Sequence, residues 1–257
     1  LREAFETVPV IACEDTRHTA RLLRLLEIVQ RPELVALHDH NEYDRAASLV
    51  ARARTEDVLV VSDAGMPTVS DPGYRLVREA VVQGVPVTVI PGPSAVVTAL
   101  ALSGLPSDRF TFEGFIPKKE QERRTSLQRL DSEERTMVFF EAPGRLLPTL
   151  TEMGRVFGVE REAAVCRELT KLHEEVRRGT LDELCLWASA PMKGECVIVV
   201  RGGTAAQLSL EEGCERVASL VADGTRMKDA ARSVAGEAGL STKELYEAML
   251  TRKKGSS

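Results

Sequence analysis

One stretch, from Val58 to Thr98, constrains the fold more than any other part of the chain. It reads VLVVSDAGMPTVSDPGYRLVREAVVQGVPVTVIPGPSAVVT, in which two apolar runs each end in a turn rich in Ser, Asp, Gly and Pro, and a helical pattern follows each turn. Strands that alternate with helices in this way form mainly parallel sheets with right-handed crossovers. Open α/β sheets bind ligands at the carboxyl ends of their strands, where both turns would lie. A nucleotide-like ligand at these two turns is therefore the first prediction.

The same alternation of strand and helix patterns extends over most of the chain. The first unit is expected to contain strands at Val8–Cys13, Leu34–His38, Val58–Val61 and Val85–Ile90, and helices at Thr16–Leu26, Ala46–Ala53, Tyr74–Gln83 and Ser94–Leu102. A second α/β unit is expected to contain strands at Phe110–Phe115, Thr136–Glu141, Ala163–Arg167 and Val197–Arg201, and helices at Lys118–Leu130 and Leu146–Phe157. Residues 208–250 look wholly helical and precede a loose tail at 251–257. The prediction is an α/β fold with domains at 1–107 and 108–203 and a helical extension at 204–257.

Composition and charge exclude several classes of protein. The chain has 257 residues with 34 Lys and Arg against 39 Asp and Glu, which argues against a protein that coats nucleic acid non-specifically but leaves room for a local basic patch. Its five cysteines form no CxxC pair, so buried thiols are favoured over disulfides or a zinc site. No apolar run approaches the roughly 20 residues that span a bilayer, and no signal-peptide pattern is visible. These features predict a cytoplasmic protein.

The first turn, residues 62–67, directly follows a predicted strand. Gly65 allows the backbone to turn sharply or to approach a ligand closely. Asp63 offers a carboxylate to ribose hydroxyls or an ammonium group, although an Asx turn explains an aspartate here equally simply. Farther on, Ser70 or Asp71 is predicted to cap the next helix, with a proline in its first turn, and capping alone would explain both residues.

The second turn, Pro91–Ser94, also lies between a strand and a helix. A phosphate cradle needs consecutive backbone N–H donors, and Pro91 and Pro93 have none. The turn therefore suits an uncharged part of a ligand, such as an adenosine, better than a pyrophosphate. The sequence also contains no GxGxxG and no GxxxxGK motif, which disfavours dinucleotide and triphosphate binding. The alternative is a rigid turn in which Ser94 caps the following helix.

Two histidine-containing segments follow the first two predicted strands. Residues 14–18, EDTRH, place an acid, a base and an imidazole at the expected ligand-binding edge, although Asp15 or Thr16 as a helix cap explains them as well. The His38-Asp39-His40 triplet has the HxH spacing of some metal ligands. Because no third ligand cluster is apparent, we predict no metal site.

Two segments point to nucleic acid, each with a simpler alternative. A predicted helix carries Lys118, Lys119, Arg123 and Arg124, which favour contacts with a phosphate backbone, although a solvated helix face has the same composition. Near the end, residues 227–238, 239–240 and 241–250 read as helix, tight turn and helix, with Ser241 and Glu244 as a capping box. This spacing resembles a helix-turn-helix, which is also a common packing unit.

Eight motifs occur together in an order that one protein family shares. They are IACEDTRHT (11–19), LHDHNE (37–42), VSDAGMPTVSDPG (61–73), VIPGPSAVVTAL (89–100), FEGFIPKK (112–119), FFEAPGRL (139–146), CRELTKLHEE (166–175) and GECVIVVRG (194–202). Together they closely resemble the ribosomal RNA small subunit methyltransferase I family, within the tetrapyrrole-methylase-like superfamily. The resemblance runs through almost the whole chain, including the helical tail.

The resemblance implies a donor, a substrate and an assembly. The donor is S-adenosylmethionine, and the acceptor is the ribose 2′-hydroxyl of a cytidine in 16S ribosomal RNA, free or within the 30S subunit. A cytoplasmic homodimer is also implied, with two α/β domains and the donor in the cleft between them. By superfamily analogy, the donor contacts are Asp63, Gly65, Met66, Gly92, Pro93, Ser94, Ala95, Phe140, Glu141, Ala142 and Glu195.

The chain departs from the family pattern at its start. Family members begin with a strand and a Thr-Pro-Ile-Gly-Asn-Leu type loop before the helix that this chain enters at Leu1. The first sheet is therefore expected to lack that strand.

The catalytic candidates rest on placement at strand ends. Methyl transfer to a hydroxyl depends on positioning and gains from a general base, for which Asp15 and Asp71 are the candidates, with Arg17 holding a phosphate or the ribose. Two other functions stay open at this point. One is a tetrapyrrole C-methyltransferase of the same superfamily, and the other is a non-catalytic RNA-binding assembly factor.

Overall fold

The chain forms two compact units, Leu1–Ala99 and Leu100–Ser257. This computed structural model describes residues 1–38, 40–203, 210–238 and 240–255. Asp39 of the histidine triplet and Gly239 of the predicted tight turn lie outside the described residues. None of the described helices is both long and apolar enough to cross a membrane.

The first unit is built on a parallel sheet of three strands. They are β1 (Val10–Cys13), β2 (Glu33–Ala36) and β3 (Val58–Val61), in the order β2-β1-β3. The central strand β1 is buried at all four residues. Its side chains alternate between two cores, because successive residues of a strand point to opposite faces: Val10 and Ala12 pack in one cluster, Ile11 and Cys13 in the other. This parallel arrangement confirms the prediction for the first sheet.

Five helices accompany this sheet. They are α1 (Arg2–Thr7), α2 (Thr16–Leu25), α3 (Glu42–Arg52), α4 (Tyr74–Val82) and α5 (Ala95–Ser103), the last of which contains the boundary between the units. Leu49 and Val50 of α3 and Leu76 of α4 fill the core on one face of the sheet. The helices α3 and α4 therefore cover this face of the sheet with apolar stripes, as the sequence spacing predicts.

The predicted strand at Val85–Ile90 is wrong. These residues join no sheet, and within the described chain β3 pairs with β1 alone. Val87 and Val89 are 51% and 63% exposed, respectively. Apolar alternation supplies β propensity, but a strand forms only where a neighbouring strand provides its hydrogen-bond partners.

The second unit contains a mixed sheet of five strands. They are β4 (Phe110–Phe115), β5 (Thr136–Glu141), β6 (Glu162–Arg167), β7 (Glu175–Thr180) and β8 (Cys196–Val200), in the order β4-β5-β8-β6-β7. Only β4 and β5 pair in parallel. The strand β7 was not predicted from the sequence, and it carries Arg177 and Arg178 at its centre. It is an edge strand, where charged side chains are tolerated and hide the usual pattern.

Within the described residues, six α-helices follow those of the first unit. Three flank the second sheet: α6 (Glu120–Gln128), α7 (Leu146–Phe157) and α8 (Leu181–Trp187), the last of which the sequence analysis missed. The other three, α9 (Leu210–Ala222), α10 (Met227–Ala238) and α11 (Thr242–Gly255), share a core of their own around Val217, Ala231 and Leu245. Ser241 Oγ accepts a hydrogen bond from Glu244 N at 3.4 Å, which is one half of the predicted capping box. The predicted loose tail is wrong up to residue 255, because α11 continues through it.

The thiols provide a direct test of these cores. All five cysteines are free, and Cys13, Cys166, Cys196 and Cys214 are buried whereas Cys185 is partly exposed. Burial raises the pKa of Cys166 and that of Cys196 to about 11. Partial burial raises the pKa of Cys185 as well, so access to the reagent distinguishes it, and we expect Cys185 to react with Ellman's reagent in a fast phase ahead of the four buried thiols. Cys185→Ser should abolish this fast phase, and a second thiol reacting equally fast would contradict the burial pattern.

Candidate active site

Three segments leave the first sheet from the same edge. Because β1, β2 and β3 are parallel, the residues that follow them all begin at the carboxyl edge of the sheet. These segments are residues 14–18 after β1, residues 37–42 after β2 and residues 62–73 after β3. The edge therefore gathers most of the polar motifs that the sequence places in the first unit.

The two turns singled out in the sequence contact each other. The backbone N–H of Gly92 lies 3.2 Å from Met66 Sδ. A Cβ atom on Gly65, whose φ is +79°, would lie 3.6 Å from the carbonyl oxygen of Pro93, and a Cβ on Gly92 would lie 3.2 Å from Met66 Sδ. Both glycines are exposed. The left-handed φ of Gly65 favours glycine there, whereas a Cβ on Gly92 would require the Met66 side chain to move slightly, so the two turns form an exposed cradle in which backbone and the Met66 thioether meet.

A histidine–carboxylate pair joins the ends of β1 and β3. His18 Nδ1 lies 2.7 Å from Asp63 Oδ2, although the two residues are 45 positions apart in the chain. The His18 side chain is 67% exposed and that of Asp63 is 33% exposed. A carboxylate bonded to one ring nitrogen fixes the orientation of the imidazole and leaves Nε2 as the nitrogen available for chemistry.

Asp15 caps the helix α2 and binds Arg17. One carboxylate oxygen, Oδ1, accepts from the Arg17 backbone N at 2.8 Å and from Nε at 3.1 Å, while Oδ2 accepts from a terminal guanidinium nitrogen at 2.6 Å. These bonds to Arg17 hold the pKa of Asp15 well below its usual range. The capping alternative for Asp15 is confirmed, and its carboxylate is a poor proton acceptor.

Glu42 fixes the start of α4 from the neighbouring helix. Its side-chain oxygen Oε1 accepts from three backbone N–H groups, those of Gly73 at 2.9 Å, Arg75 at 2.7 Å and Leu76 at 3.4 Å. Glu42 is only 5% exposed. A buried carboxylate thus accepts hydrogen bonds from N–H groups that the first turn of a helix leaves unpaired. Its negative charge also interacts favourably with the positive end of the helix dipole.

The predicted cap of α4 is therefore wrong. The residue in the cap position is Gly73, with φ +125°, and not Ser70 or Asp71. Thr68 and Ser70 have φ values of +75° and +62°, in the left-handed region that non-glycine residues rarely adopt. Such strain persists only where the surroundings fix the backbone, and the Glu42 bonds do so at one end of this loop. Asp71 lies within it, half-buried.

Glu141, the last residue of β5 in the second unit, holds the end of that strand through hydrogen bonds and an ion pair. Its Oε1 accepts from the backbone N of Ala142 at 2.7 Å and pairs with Arg145, while Oε2 accepts from Thr149 Oγ1 at 2.6 Å. Glu141 is 2% exposed. Its carboxylate therefore fixes the chain as it leaves the strand, and Ala142 beside it is exposed.

Two further residues predicted as donor contacts lie on β5 and just before β8 of this sheet. Phe140 packs edge-to-face against Phe112, with ring centroids 4.9 Å apart. Glu195, whose side chain is 81% exposed, lies just before β8 and pairs with Lys171 at 3.0 Å. Lys171 also pairs with Glu168, so one lysine joins two carboxylates across the ends of β6 and β8. The roles assigned to Phe140, Glu141, Ala142 and Glu195 stay predictions.

The four residues predicted to contact RNA differ in their surroundings. Lys118 and Lys119 are exposed, the latter with 80% of its side chain accessible. Arg123 is 8% exposed, and its Nε has no hydrogen-bond partner among the described residues. Arg124 Nε donates to Glu152 at 2.8 Å, and that glutamate is buried. Both lysines therefore present exposed ammonium groups in this segment, and that of Lys119 pairs with Glu122 at 2.9 Å.

The histidine triplet after β2 lacks the companions of a metal site. Nδ1 of His38 is buried without a hydrogen-bond partner among the described residues. The part of the chain that the structure describes contains no group of three or more His, Cys, Asp or Glu residues placed to hold a metal ion. His38 instead forms the turn into α3, where Asn41 Oδ1 accepts from its backbone N at 2.9 Å.

Comparison with known proteins identifies the fold. The sequence matches the family model for Tetrapyrrole (Corrin/Porphyrin) Methylases over residues 1–185. Among solved structures, a diphthine synthase superposes with a TM-score of 0.61 and 18% identity, covering 82% of this chain and 85% of that one. At this identity the likeness concerns the fold alone, and it confirms the predicted α/β architecture of the tetrapyrrole-methylase type.

More similar relatives narrow the assignment. The protein named ribosomal RNA small subunit methyltransferase I from Mycobacterium tuberculosis is 47% identical over 256 residues, which span 99% of this chain and 90% of the relative. The protein of the same name from Pseudomonas aeruginosa is 42% identical over 251 residues, spanning 95% and 88%. The chain belongs to the ribosomal RNA small subunit methyltransferase I family. The resemblance carried by the eight sequence motifs is thereby confirmed.

For this member of the methyltransferase I family, the sequence located the segments of the site but not the contacts within it. His18, Asp63 and Glu42 all lie in motifs quoted above, yet their hydrogen-bond partners are 31 to 45 positions away in the chain. Glu42 in particular was missed, because a glutamate in the first turn of a helix is common and carries no local signal of a distant partner. The pairing of His18 with Asp63 follows only from the parallel register of β1 and β3.

Proposed function

We propose that this chain is an S-adenosylmethionine-dependent methyltransferase that modifies the ribose 2′-hydroxyl of a cytidine in 16S ribosomal RNA, in the cytoplasm. One structural observation carries the proposal: the turns after β3 and before α5 meet at the carboxyl edge of the sheet. Membership of the methyltransferase I family supports it over a tetrapyrrole C-methyltransferase, because the relatives at 42–47% identity are named for ribosomal RNA. A homodimer stays a prediction.

The cradle of the two turns fits an adenosine-containing donor. Gly65 and Gly92 leave backbone exposed where the turns meet, and the two prolines of the second turn, which have no N–H groups, favour an uncharged part of the donor over a phosphate. Asp63 provides a carboxylate for ribose hydroxyls or an ammonium group. We assign donor binding in this unit to Asp63, Gly65, Met66, Gly92, Pro93, Ser94 and Ala95.

The reaction requires alignment and a proton acceptor. S-adenosylmethionine supplies an already activated methyl group, so the protein mainly has to place the acceptor hydroxyl in line with it. We assign the proton acceptor to His18 Nε2, with Asp63 orienting the ring through its 2.7 Å contact with Nδ1. Asp15 is unsuited because Arg17 engages both of its oxygens. Asp71 is the remaining carboxylate candidate.

We assign contacts with the RNA backbone to exposed cationic side chains. Arg17, whose side chain is 87% exposed and is held by Asp15, is proposed to contact a phosphate next to the modified nucleotide. Lys118 and Lys119 are proposed as further phosphate contacts. Arg123 and Arg124 belong to the same predicted segment. Because Arg123 is buried and Arg124 is paired with Glu152, we assign them no direct phosphate contact, only a role in supporting the surface that carries the two lysines.

The function is tested by incubating the protein with methyl-labelled S-adenosylmethionine and either 30S subunits or 16S RNA from cells that lack the protein. We expect label in 2′-O-methylcytidine after digestion to nucleosides, and no label in a DNA copy of the sequence, because the reaction needs the 2′-hydroxyl. Transfer to a precorrin instead would favour the tetrapyrrole function. Absence of donor binding in calorimetry would favour a non-catalytic assembly factor.

A further inference from the structure

Two exposed tyrosines lie at the starts of two adjacent helices. Tyr43 is the second residue of α3 and is 77% exposed, while Tyr74 is the first residue of α4 and is 61% exposed. The whole chain has only three tyrosines. Two exposed aromatic rings at the starts of neighbouring helices offer flat apolar faces with polar tips, which suit contact with a partly apolar ligand.

The Glu42 carboxylate holds these tyrosines in place. Glu42 precedes Tyr43 in the chain and accepts hydrogen bonds from Gly73 N and Arg75 N, the residues on either side of Tyr74. In addition, the guanidinium carbon of Arg75 lies 6.0 Å from the centroid of the Tyr43 ring. The backbone of the patch is therefore fixed in advance, which lowers the entropic cost of binding.

We propose that Tyr43, Tyr74 and Arg75, the tyrosine platform, bind an unpaired base of the substrate RNA by stacking. The inference rests on the proposed function. Proteins recognise single-stranded RNA by stacking splayed bases on aromatic rings and on arginine planes, which this platform supplies together. The platform follows β2 and β3 at the carboxyl edge of the sheet, the edge that also carries His18 and Asp63. A nucleotide near the modified one is the natural occupant.

Local charge favours RNA over a protein partner. The segments that carry the platform, residues 42–45 and 74–79, contain three arginines, Arg45, Arg75 and Arg78, and three acidic residues, Glu42, Asp44 and Glu79. Glu42 is buried against backbone N–H groups whereas the arginines are exposed, so the exposed side chains carry a small excess of positive charge. It complements a phosphate backbone, whereas a second copy of this acidic chain would gain little from it.

The experiment measures binding and turnover with the full chain. The probe is a single-stranded RNA oligonucleotide that contains 2-aminopurine, whose fluorescence is quenched by stacking. Tyr43→Ala should weaken RNA binding about tenfold and remove most of the quenching, and in methylation assays it should raise KM for RNA with little change in kcat. Tyr43→Phe should behave as wild type because it keeps the ring. Tyr43→Leu keeps the apolar bulk without the aromatic ring. It should weaken RNA binding as Tyr43→Ala does, which would attribute the loss to the missing ring and not to a folding defect.

The control is Arg45→Ala, which removes one exposed positive charge from the same helix without touching the tyrosine platform. It should cause a smaller loss of affinity than Arg75→Ala and leave the quenching intact. Equal binding, quenching and KM in Tyr43→Ala, Tyr74→Ala and wild type would overturn the proposal. Dissociation of a dimer by these substitutions, seen by light scattering, would assign the patch to a second copy instead. A wild-type protein that binds and quenches the oligonucleotide but does not methylate RNA would refute the proposed function and not the platform.

Discussion

Replacing Glu42 by alanine is expected to lower the free energy of unfolding by about 3 kcal/mol or more. Three backbone N–H groups at the start of α4 lose a charged acceptor, and those of Gly73 and Leu76 lie in a buried environment where water replaces it poorly. Glu42→Gln keeps an acceptor oxygen but loses the charge, so a smaller loss of about 1–2 kcal/mol is expected. Urea denaturation followed by circular dichroism measures both values.

Asp44→Ala is the matched control for this substitution. Asp44 lies in the same first turn of α3, carries the same charge and is exposed. Its removal should change stability by less than about 0.5 kcal/mol. Hydrogen exchange at the amides of Gly73 and Arg75 should accelerate in Glu42→Ala and stay slow in the control. Equal stability of the two alanine variants would mean that the Glu42 contacts contribute no net stabilisation.

The sequence predicts the regular elements well where periodicity decides them. The bounds of β3, β4, β5, α7 and α10 were predicted without error. Their apolar residues repeat with the period of a buried strand or of an amphipathic helix, so the local pattern coincides with the packed face. The positions of the two turns follow for the same reason, since each lies where an apolar run ends.

The rest of the fold depends on partners that are distant in the sequence. Val85–Ile90 has the pattern of a strand but no neighbour to pair with in the described chain, whereas β7 has a weak pattern and is a strand because β6 pairs with it. Glu42 illustrates the same principle in the site, because its partners come 31 to 34 residues later. Local propensity is a weak prior that tertiary contacts override.

Replacing His18 by glutamine is expected to reduce kcat for RNA methylation about 100-fold or more, because the proton acceptor is lost. The affinity for S-adenosylmethionine should stay the same, since His18 is not among the donor contacts. Asp63→Asn should lower kcat as well, because an amide at 2.7 Å from Nδ1 no longer enforces the ring tautomer that leaves Nε2 ready to accept a proton. Single-turnover kinetics at saturating donor and RNA measure both effects.

His173→Gln is the control for this experiment, because His173 is an exposed histidine in the turn between β6 and β7 with no assigned role. It should turn over as wild type. Asp71→Asn separates the two candidate bases. If His18→Gln keeps its turnover while Asp71→Asn loses it, the proton acceptor is Asp71, and the His18–Asp63 contact only joins the ends of two strands. If His18→Gln instead loses its turnover while Asp71→Asn keeps it, catalysis is assigned to His18 and Asp63, a pair that only the fold brings together.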